Sequence, residues 1–113
     1  MHEMGIASSV LDAVRTEASH YAGKPSRVGI RVGEWSGVDT ESLRFCFEAL
    51  VAGSDLAGLQ LDLEYRTRKN GCEQCGAEFP VDGFDIACPN CHSAETKMVS
   101  GTELDIAYLE LKD

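Results

Sequence analysis

The 113-residue sequence predicts an α+β fold: two helices cover one face of a three-stranded sheet, and a small zinc-ribbon-like module is inserted before the last strand. Two segments carry apolar residues at helical spacing, and three others alternate apolar and polar residues as half-buried strands do. Two Cys-x-x-Cys pairs interrupt this pattern between the second and third strands. Because short strands are not stable alone, one sheet packed against both helices is the economical arrangement.

The first helix is predicted from about Met4 to Tyr21, almost at the start of the chain. Its apolar stripe follows helical spacing and consists of Ile6, Val10, Ala13, Val14, Ala18 and Tyr21. Gly23 and the Lys24-Pro25 pair that follows are typical of a helix stop. The first strand comes next, where Val28, Ile30 and Val32 alternate with polar residues or glycine.

A loop over residues 33–38 contains two glycines and leads to a second helix, for which Asp39 has the side chain of an N-cap. The stripe of this helix is Leu43, Phe47, Leu50 and Val51, and its expected stop is Gly53. The second strand carries the alternating residues Leu59, Leu61, Leu63 and Tyr65. The third carries Leu104, Ile106, Leu109 and Leu111, and a phase slip at Ala107-Tyr108 predicts a β-bulge. We therefore assign residues 1–66 and 101–113 to an α/β domain and residues 67–100 to the inserted module.

Four cysteines form the most specific motif of the chain. Cys72 and Cys75 form one pair and Cys88 and Cys91 the other, with 12 residues between the pairs. Two residues between thiolates let both sulfurs of a turn face one point, and a second such turn completes a tetrahedron of four sulfurs. A set of four cysteines with no open position predicts a structural Zn(II) site. His92 follows the last cysteine directly and is a candidate for contacting the zinc ligands or replacing one of them.

The charge balance excludes some classes of function. The formal net charge is −9, whereas proteins that bind nucleic acid normally carry a basic face, so we expect no nucleic-acid partner. No apolar run approaches the roughly 20 residues that span a bilayer. No secretory signal is visible either. We therefore expect no membrane association and a cytoplasmic protein, in which paired cysteines bind metal more often than they form disulfides.

The N-terminus is a second candidate metal site. His2 lies beside the α-amine of Met1, its own backbone amide and the amide of Glu3. The amine, an amide nitrogen and the imidazole Nδ1 can close small chelate rings around one ion, and such nitrogen-rich ligation suits Ni(II) or Cu(II). The alternative is a loose chain end in which His2 has no role.

Four motifs of this chain occur together in one known family. The sequence starts Met1-His2-Glu3-Met4, continues through Ser8-Ser9 in the first helix, and has Gly-Glu-Trp-Ser-Gly-Val-Asp at residues 33–39. Its second cysteine pair ends in Cys91-His92-Ser93. On these motifs, which extend over essentially the whole chain, the sequence resembles the HypA/HybF family of nickel metallochaperones.

The resemblance implies transient binding of Ni(II) and its delivery for maturation of [NiFe]-hydrogenases, and in some organisms of urease. It implies His2 as the essential nickel ligand, Glu3 as a ligand through its amide, and Asp39 as a carboxylate near the nickel. Asp39 has a competing use as a helix cap alone. The implied partners are a HypB-type GTPase and the hydrogenase large-subunit precursor. The cysteine module would order a surface for a partner or for a homodimer.

Two other functions stay open at this point: a zinc-ribbon interaction protein and a thiol redox protein, neither with a nickel role. Redox cysteine pairs usually begin a helix, whereas the residues around Cys72 and Cys88 are typical of ribbon turns. No nucleophile motif or phosphate-binding glycine loop is present, so we expect no enzymatic activity. We expect Cys46 to be a buried structural thiol, His20 a surface residue, and Trp35 a partner contact or a packing residue at the hinge.

Overall fold

The computed structural model describes residues 2–113, which form two helices and six strands in two separate sheets. In chain order the elements are α1 (Glu3–Ala18), β1 (Lys24–Gly33), α2 (Thr40–Val51), β2 (Gln60–Arg66), β3 (Lys69–Cys72), β4 (Glu78–Pro80), β5 (Thr96–Ser100) and β6 (Leu104–Lys112). The strand orders are β2-β1-β6 and β4-β3-β5. The predicted fold class is confirmed.

The first sheet is built around β1, which pairs in parallel with β2 and antiparallel with β6. Helix α2 makes the crossover that a parallel pair requires. Val28, Ile30 and Val32 lie on one face of β1, since alternate residues of a strand share a face. They form one buried cluster with residues of both helices and of β2: Ala7, Val10, Leu11, Val14, Leu43, Phe47, Val51, Leu56, Leu59 and Leu61 complete it. Both helices therefore cover the same face of the sheet.

The predicted end of the first helix is wrong by three residues. Helix α1 ends at Ala18, and the chain then tightens: the His20 N–H donates to the Glu17 carbonyl and the Tyr21 N–H to the Ala18 carbonyl. These are bonds between residues three apart, which are typical of a fraying last turn. Tyr21 is 61% exposed, so no apolar contact prolongs the helix to it.

The predicted irregularity in the last strand is confirmed as a β-bulge. Gly29 is paired with Tyr108 and Ile30 with Ile106, which leaves Ala107 without a partner on β1. The extra residue changes which face the following side chains occupy. Leu104 and Leu109 can therefore both pack against the core although they are five positions apart.

The second sheet contains only antiparallel pairs and lies between β2 and β6 in the chain. Its core is small: Cys72, Phe79 and Cys88 are buried, with Ala77 and Val81 packed against them. The proposed division at residues 67 and 100 stays a prediction. Neither helix within residues 2–113 has the length and apolar character needed to cross a bilayer.

The two sheets are joined where the loop after β1 meets the chain before β3 and after β5. The Trp35 N–H donates to the Gly101 carbonyl over 2.7 Å, and the Arg68 N–H donates to Glu34 Oε1 over 2.9 Å. The guanidinium of Arg68 stacks on the Trp35 ring at 3.9 Å from the ring centroid. The structure places Trp35 in packing at the hinge, and its expected use as a partner contact stays a prediction.

Candidate metal centres

The two cysteine pairs lie in turns that repeat the same backbone hydrogen bonds. The Cys72 carbonyl accepts from the Gly76 N–H over 2.9 Å, and the Cys72 N–H donates to the Ala77 carbonyl over 2.8 Å. Cys88 makes the equivalent bonds with His92 and Ser93 at 2.8 and 2.9 Å. No helix of the described chain begins at either pair, so the setting of a redox dithiol is absent from residues 2–113.

These turns bring four sulfurs together. The ligand atoms of Cys72, Cys75, Cys88 and Cys91 all lie within 4.8 Å of one another, and all four thiols are free. Cys72 Sγ lies 3.5 Å from Cys91 Sγ, and Cys75 Sγ lies 3.6 Å from Cys88 Sγ. Sulfurs at the corners of a zinc tetrahedron, with Zn–S bonds of about 2.3 Å, are about 3.8 Å apart. The cluster is a metal-binding site whose donors and spacing fit zinc.

The four thiols have unequal acidity. A hydrogen bond from the Asn90 side-chain amide lowers the pKa of Cys75 to about 6, and the Ala77 backbone N–H adds to the effect. The Ser93 backbone N–H lowers the pKa of Cys91, but the contact with Cys72 and desolvation outweigh it and raise the pKa to about 12. Crowded thiols resist shared ionisation because like charges repel. A bound dication would remove this conflict by stabilising all four thiolates.

His92 lies outside the four-sulfur cluster and is exposed. Its φ is +64°, and it is the non-glycine residue with a left-handed backbone in the described chain. Gly76, with φ +79°, has the equivalent place in the first turn. The turn therefore requires this backbone conformation at both places, and His92 adopts it although glycine does so at lower cost. Its expected role next to the zinc ligands stays a prediction.

The N-terminal candidate site begins at the start of α1. His2 is the N-cap residue of this helix, its imidazole is exposed, and its carbonyl accepts from the Ile6 N–H over 3.1 Å. The first N–H groups of a helix have no partner within the helix. Within residues 2–113 no acceptor is present for the N–H of His2 or of Glu3. Met1, the third predicted nitrogen donor, lies outside the described residues.

A hydrogen bond connects this helix start to the second predicted position, 36 residues away. Glu3 Oε2 accepts from the Asp39 backbone N–H over 3.2 Å. Asp39 is the N-cap of α2, as predicted, and its Oδ1 accepts from the Ser42 N–H over 3.1 Å. Capping occupies one carboxylate oxygen of Asp39, so capping and a place beside the N-terminus are compatible. The structure brings His2, Glu3 and Asp39 together at one end of the helical layer.

The chain is similar over nearly its whole length to proteins of one known family. A family model described as "Hydrogenase/urease nickel incorporation, metallochaperone, hypA" matches residues 1–111. The chain belongs to the HypA family. The family is one of nickel metallochaperones that act in hydrogenase maturation.

Individual relatives match along nearly their whole length. The Hydrogenase maturation factor HypA of Prosthecochloris aestuarii is 41% identical over 113 residues, covering 99% of this chain and 100% of the relative. That of Chlorobaculum tepidum is 42% identical over 107 residues, covering 94% and 95%. The solution structure of the Ni metallochaperone HypA from Helicobacter pylori matches with a TM-score of 0.66 at 27% identity, covering 99% of this chain and 98% of that one.

Two further predictions from the sequence concern His20 and Cys46. His20 is exposed, as predicted. Cys46 is half-buried and packs against the core, but it also lines a surface groove together with His2 and Glu3. Phe45, in the same groove, was not identified from the sequence, because it lies outside the apolar stripe of α2. An isolated phenylalanine on the polar face of a helix is the signal that could have identified it.

Proposed function

We propose that this chain binds Ni(II) at its N-terminus and delivers it for maturation of [NiFe]-hydrogenase, with urease as a further client. One observation carries the proposal: His2 combines an exposed imidazole with two adjacent backbone amides that have no acceptor within residues 2–113. Imidazole and amide nitrogens suit Ni(II). Asp39 Oδ2 would supply a nearby negative charge.

Delivery requires a cargo site that can be given up. His2 and Glu3 lie at a helix end, where a rearrangement disturbs no buried side chain and therefore costs little packing energy. The Glu3–Asp39 hydrogen bond positions this end against α2 while the nickel is held. A partner protein that supplies stronger ligands would then take the nickel ion from this chain without unfolding it.

The four cysteines would hold a resident structural Zn(II). Zinc binding supplies the module with stability that its few buried residues cannot provide. The chain would then act without a reaction of its own, together with a HypB-type GTPase and the hydrogenase large-subunit precursor in the cytoplasm. The zinc module is also a candidate surface for a homodimer.

The test is the His2→Ala variant, prepared with the native N-terminus because an added tag would remove the α-amine. We expect nickel binding in calorimetry to weaken at least tenfold, while elemental analysis still finds one zinc per chain. His20→Ala is the matched control, since it removes another exposed histidine close to the same helix. Full nickel affinity in His2→Ala, or loss of its zinc, would show that the assignment is wrong.

A further inference from the structure

Two adjoining surface grooves run from the N-terminus along α2 to the edge strand β2. The first, of about 490 Å³, is lined by His2, Met4 and Phe45 among others. The second, of about 460 Å³, is lined by Phe45, Leu63 and Tyr65 among others. They share Phe45 and Glu41. We call the continuous area formed by Met4, Phe45, Leu63 and Tyr65 the α2 surface.

The α2 surface exposes large apolar side chains that the core does not use. Phe45 is 72% exposed, Tyr65 55% and Met4 45%. Leaving a large apolar side chain in water forgoes the favourable free energy of burying it. A cluster of exposed apolar side chains on a protein of this size is typical of a binding site. Aromatic side chains are also the ones that most often dominate binding energy at interfaces.

The charges beside the α2 surface are acidic and lack partners. Glu41 and Glu48 line the groove, and neither is within 4.0 Å of a basic group in residues 2–113. Arg44 lies between them on α2, but its Nη1 donates to the Leu61 carbonyl over 3.2 Å. The basic group is thus engaged within the chain, and the acidic groups are available to a partner. A basic partner would complement them.

We propose that the α2 surface docks the protein that accepts the nickel, through an apolar segment of that protein flanked by Lys or Arg. This inference rests on the proposed function. Ligand exchange requires the acceptor's own ligand atoms to approach the ion held at His2. The acceptor must therefore cover surface next to His2. Two grooves contain His2, and in the one beside Leu104 the most exposed large apolar side chain is Ile106, at 38%. The groove on the α2 side carries the more exposed Met4 and Phe45, and we therefore place the acceptor there.

The experiment measures binding of the purified hydrogenase large-subunit precursor to the full-length chain. Phe45→Ser and Tyr65→Ser should each weaken this binding at least about tenfold, the size typical of aromatic anchors. Tyr21→Ser is the matched control: Tyr21 is 61% exposed but lies against β6, away from this surface, and its replacement should leave the affinity unchanged. All variants should keep the zinc content and nickel affinity of the original chain, which checks that they fold.

Charge reversal tests the second part of the inference. Glu41→Lys and Glu48→Lys together should slow association with the precursor and remove most of its dependence on salt. Unchanged affinity in Phe45→Ser and Tyr65→Ser would overturn the inference. It would also be overturned if these variants lost binding to the GTPase but not to the precursor.

The outcomes separate this inference from the proposed function. His2→Ala should bind the precursor more tightly than Phe45→Ser and Tyr65→Ser do, because the four side chains of the α2 surface are intact in it. If His2→Ala keeps its nickel, the proposed function fails, whereas the affinities of Phe45→Ser and Tyr65→Ser decide the docking surface in either case.

Discussion

At the scale of single residues, Gly29 and Tyr108 explain how the face of the first sheet opposite the helices is covered. Gly29 lies between Val28 and Ile30 on β1, so a side chain at this position would face away from the helices. The Tyr108 ring covers it so closely that a Cβ at Gly29 would lie 2.2 Å from Cε2 of the ring. Beyond the glycine, the Tyr108 hydroxyl donates to Asp62 on β2, and this bond raises the pKa of Tyr108. One tyrosine thus spans all three strands.

Gly29→Ala should destabilise the chain by about 1–3 kcal/mol, because the added methyl group forces the Tyr108 ring off the strand. Urea unfolding measures the loss. Gly5→Ala is the control, since its Cβ would meet nothing within 4 Å in α1 and alanine favours a helix by about 0.5–1 kcal/mol. In a Tyr108→Ala background the Gly29→Ala change should cost little. An equal cost in both backgrounds would contradict the explanation.

The sequence allowed prediction of residues whose role depends on their neighbours along the chain. Asp39 was predicted as an N-cap because that role depends on the next three residues, and the cysteine cluster because each pair closes a local turn. The Glu3–Asp39 hydrogen bond was not predictable in this way, since it requires α1 to pack beside α2. Phe45 was missed because helical periodicity identifies the buried face and gives no information about exposed side chains.

At the scale of elements, periodicity predicted the three strands of the first sheet and the middle of each helix. The bulge in β6 followed from a slip in the alternation of apolar and polar residues. The end of α1 was less predictable because a frayed turn depends on the absence of tertiary contacts. Inside the cysteine module, strands β3, β4 and β5 carry no apolar alternation that could be recognised. Two of the three buried residues of its apolar cluster are the metal-site cysteines Cys72 and Cys88. We therefore expect the stability of this sheet to depend on metal binding at the four cysteines more than on an apolar core.

Cys88→Ser should remove zinc and unfold the second sheet while leaving the first sheet intact. Cys88 is fully buried and supplies one of the four sulfurs, so its loss removes both a ligand and part of the small core. Amide hydrogen exchange should show lost protection over residues 69–100 and retained protection in α1, α2 and β1. Cys46→Ser, outside the cluster, should change neither. Protection lost together in both sheets would contradict the proposed division into residues 67–100 and the remainder.

At the scale of the whole molecule, the described chain is elongated, with extents of 53 × 27 × 16 Å, and its two sheets meet through a small set of contacts. The Glu103 carboxylate accepts from the Gly101 N–H over 2.6 Å, and this hydrogen bond lowers the pKa of Glu103. Gly33 approaches the Gly101 carbonyl so closely that a Cβ there would lie 2.2 Å from the oxygen. The Gly33–Gly101 approach and the Arg68–Trp35 stack join residues that are distant in sequence, so the relative orientation of the sheets could not be predicted.

Gly101→Ala should loosen the connection between the two sheets. Gly101 has φ +123°, and a Cβ there would lie 2.9 Å from the Arg68 Cα, so the backbone that carries the Arg68–Trp35 stack must shift. Nitrogen-15 relaxation should then give the two sheets different rotational correlation times, whereas we expect a single one for the original chain. Gly53→Ala is the matched control, because Gly53 has φ +72° and nothing within 4 Å of its Cβ position. Both variants lose about 1–2 kcal/mol through the left-handed backbone, but the control should keep a single correlation time. A single correlation time in Gly101→Ala would show that the Arg68–Trp35 contact does not determine how the sheets are oriented.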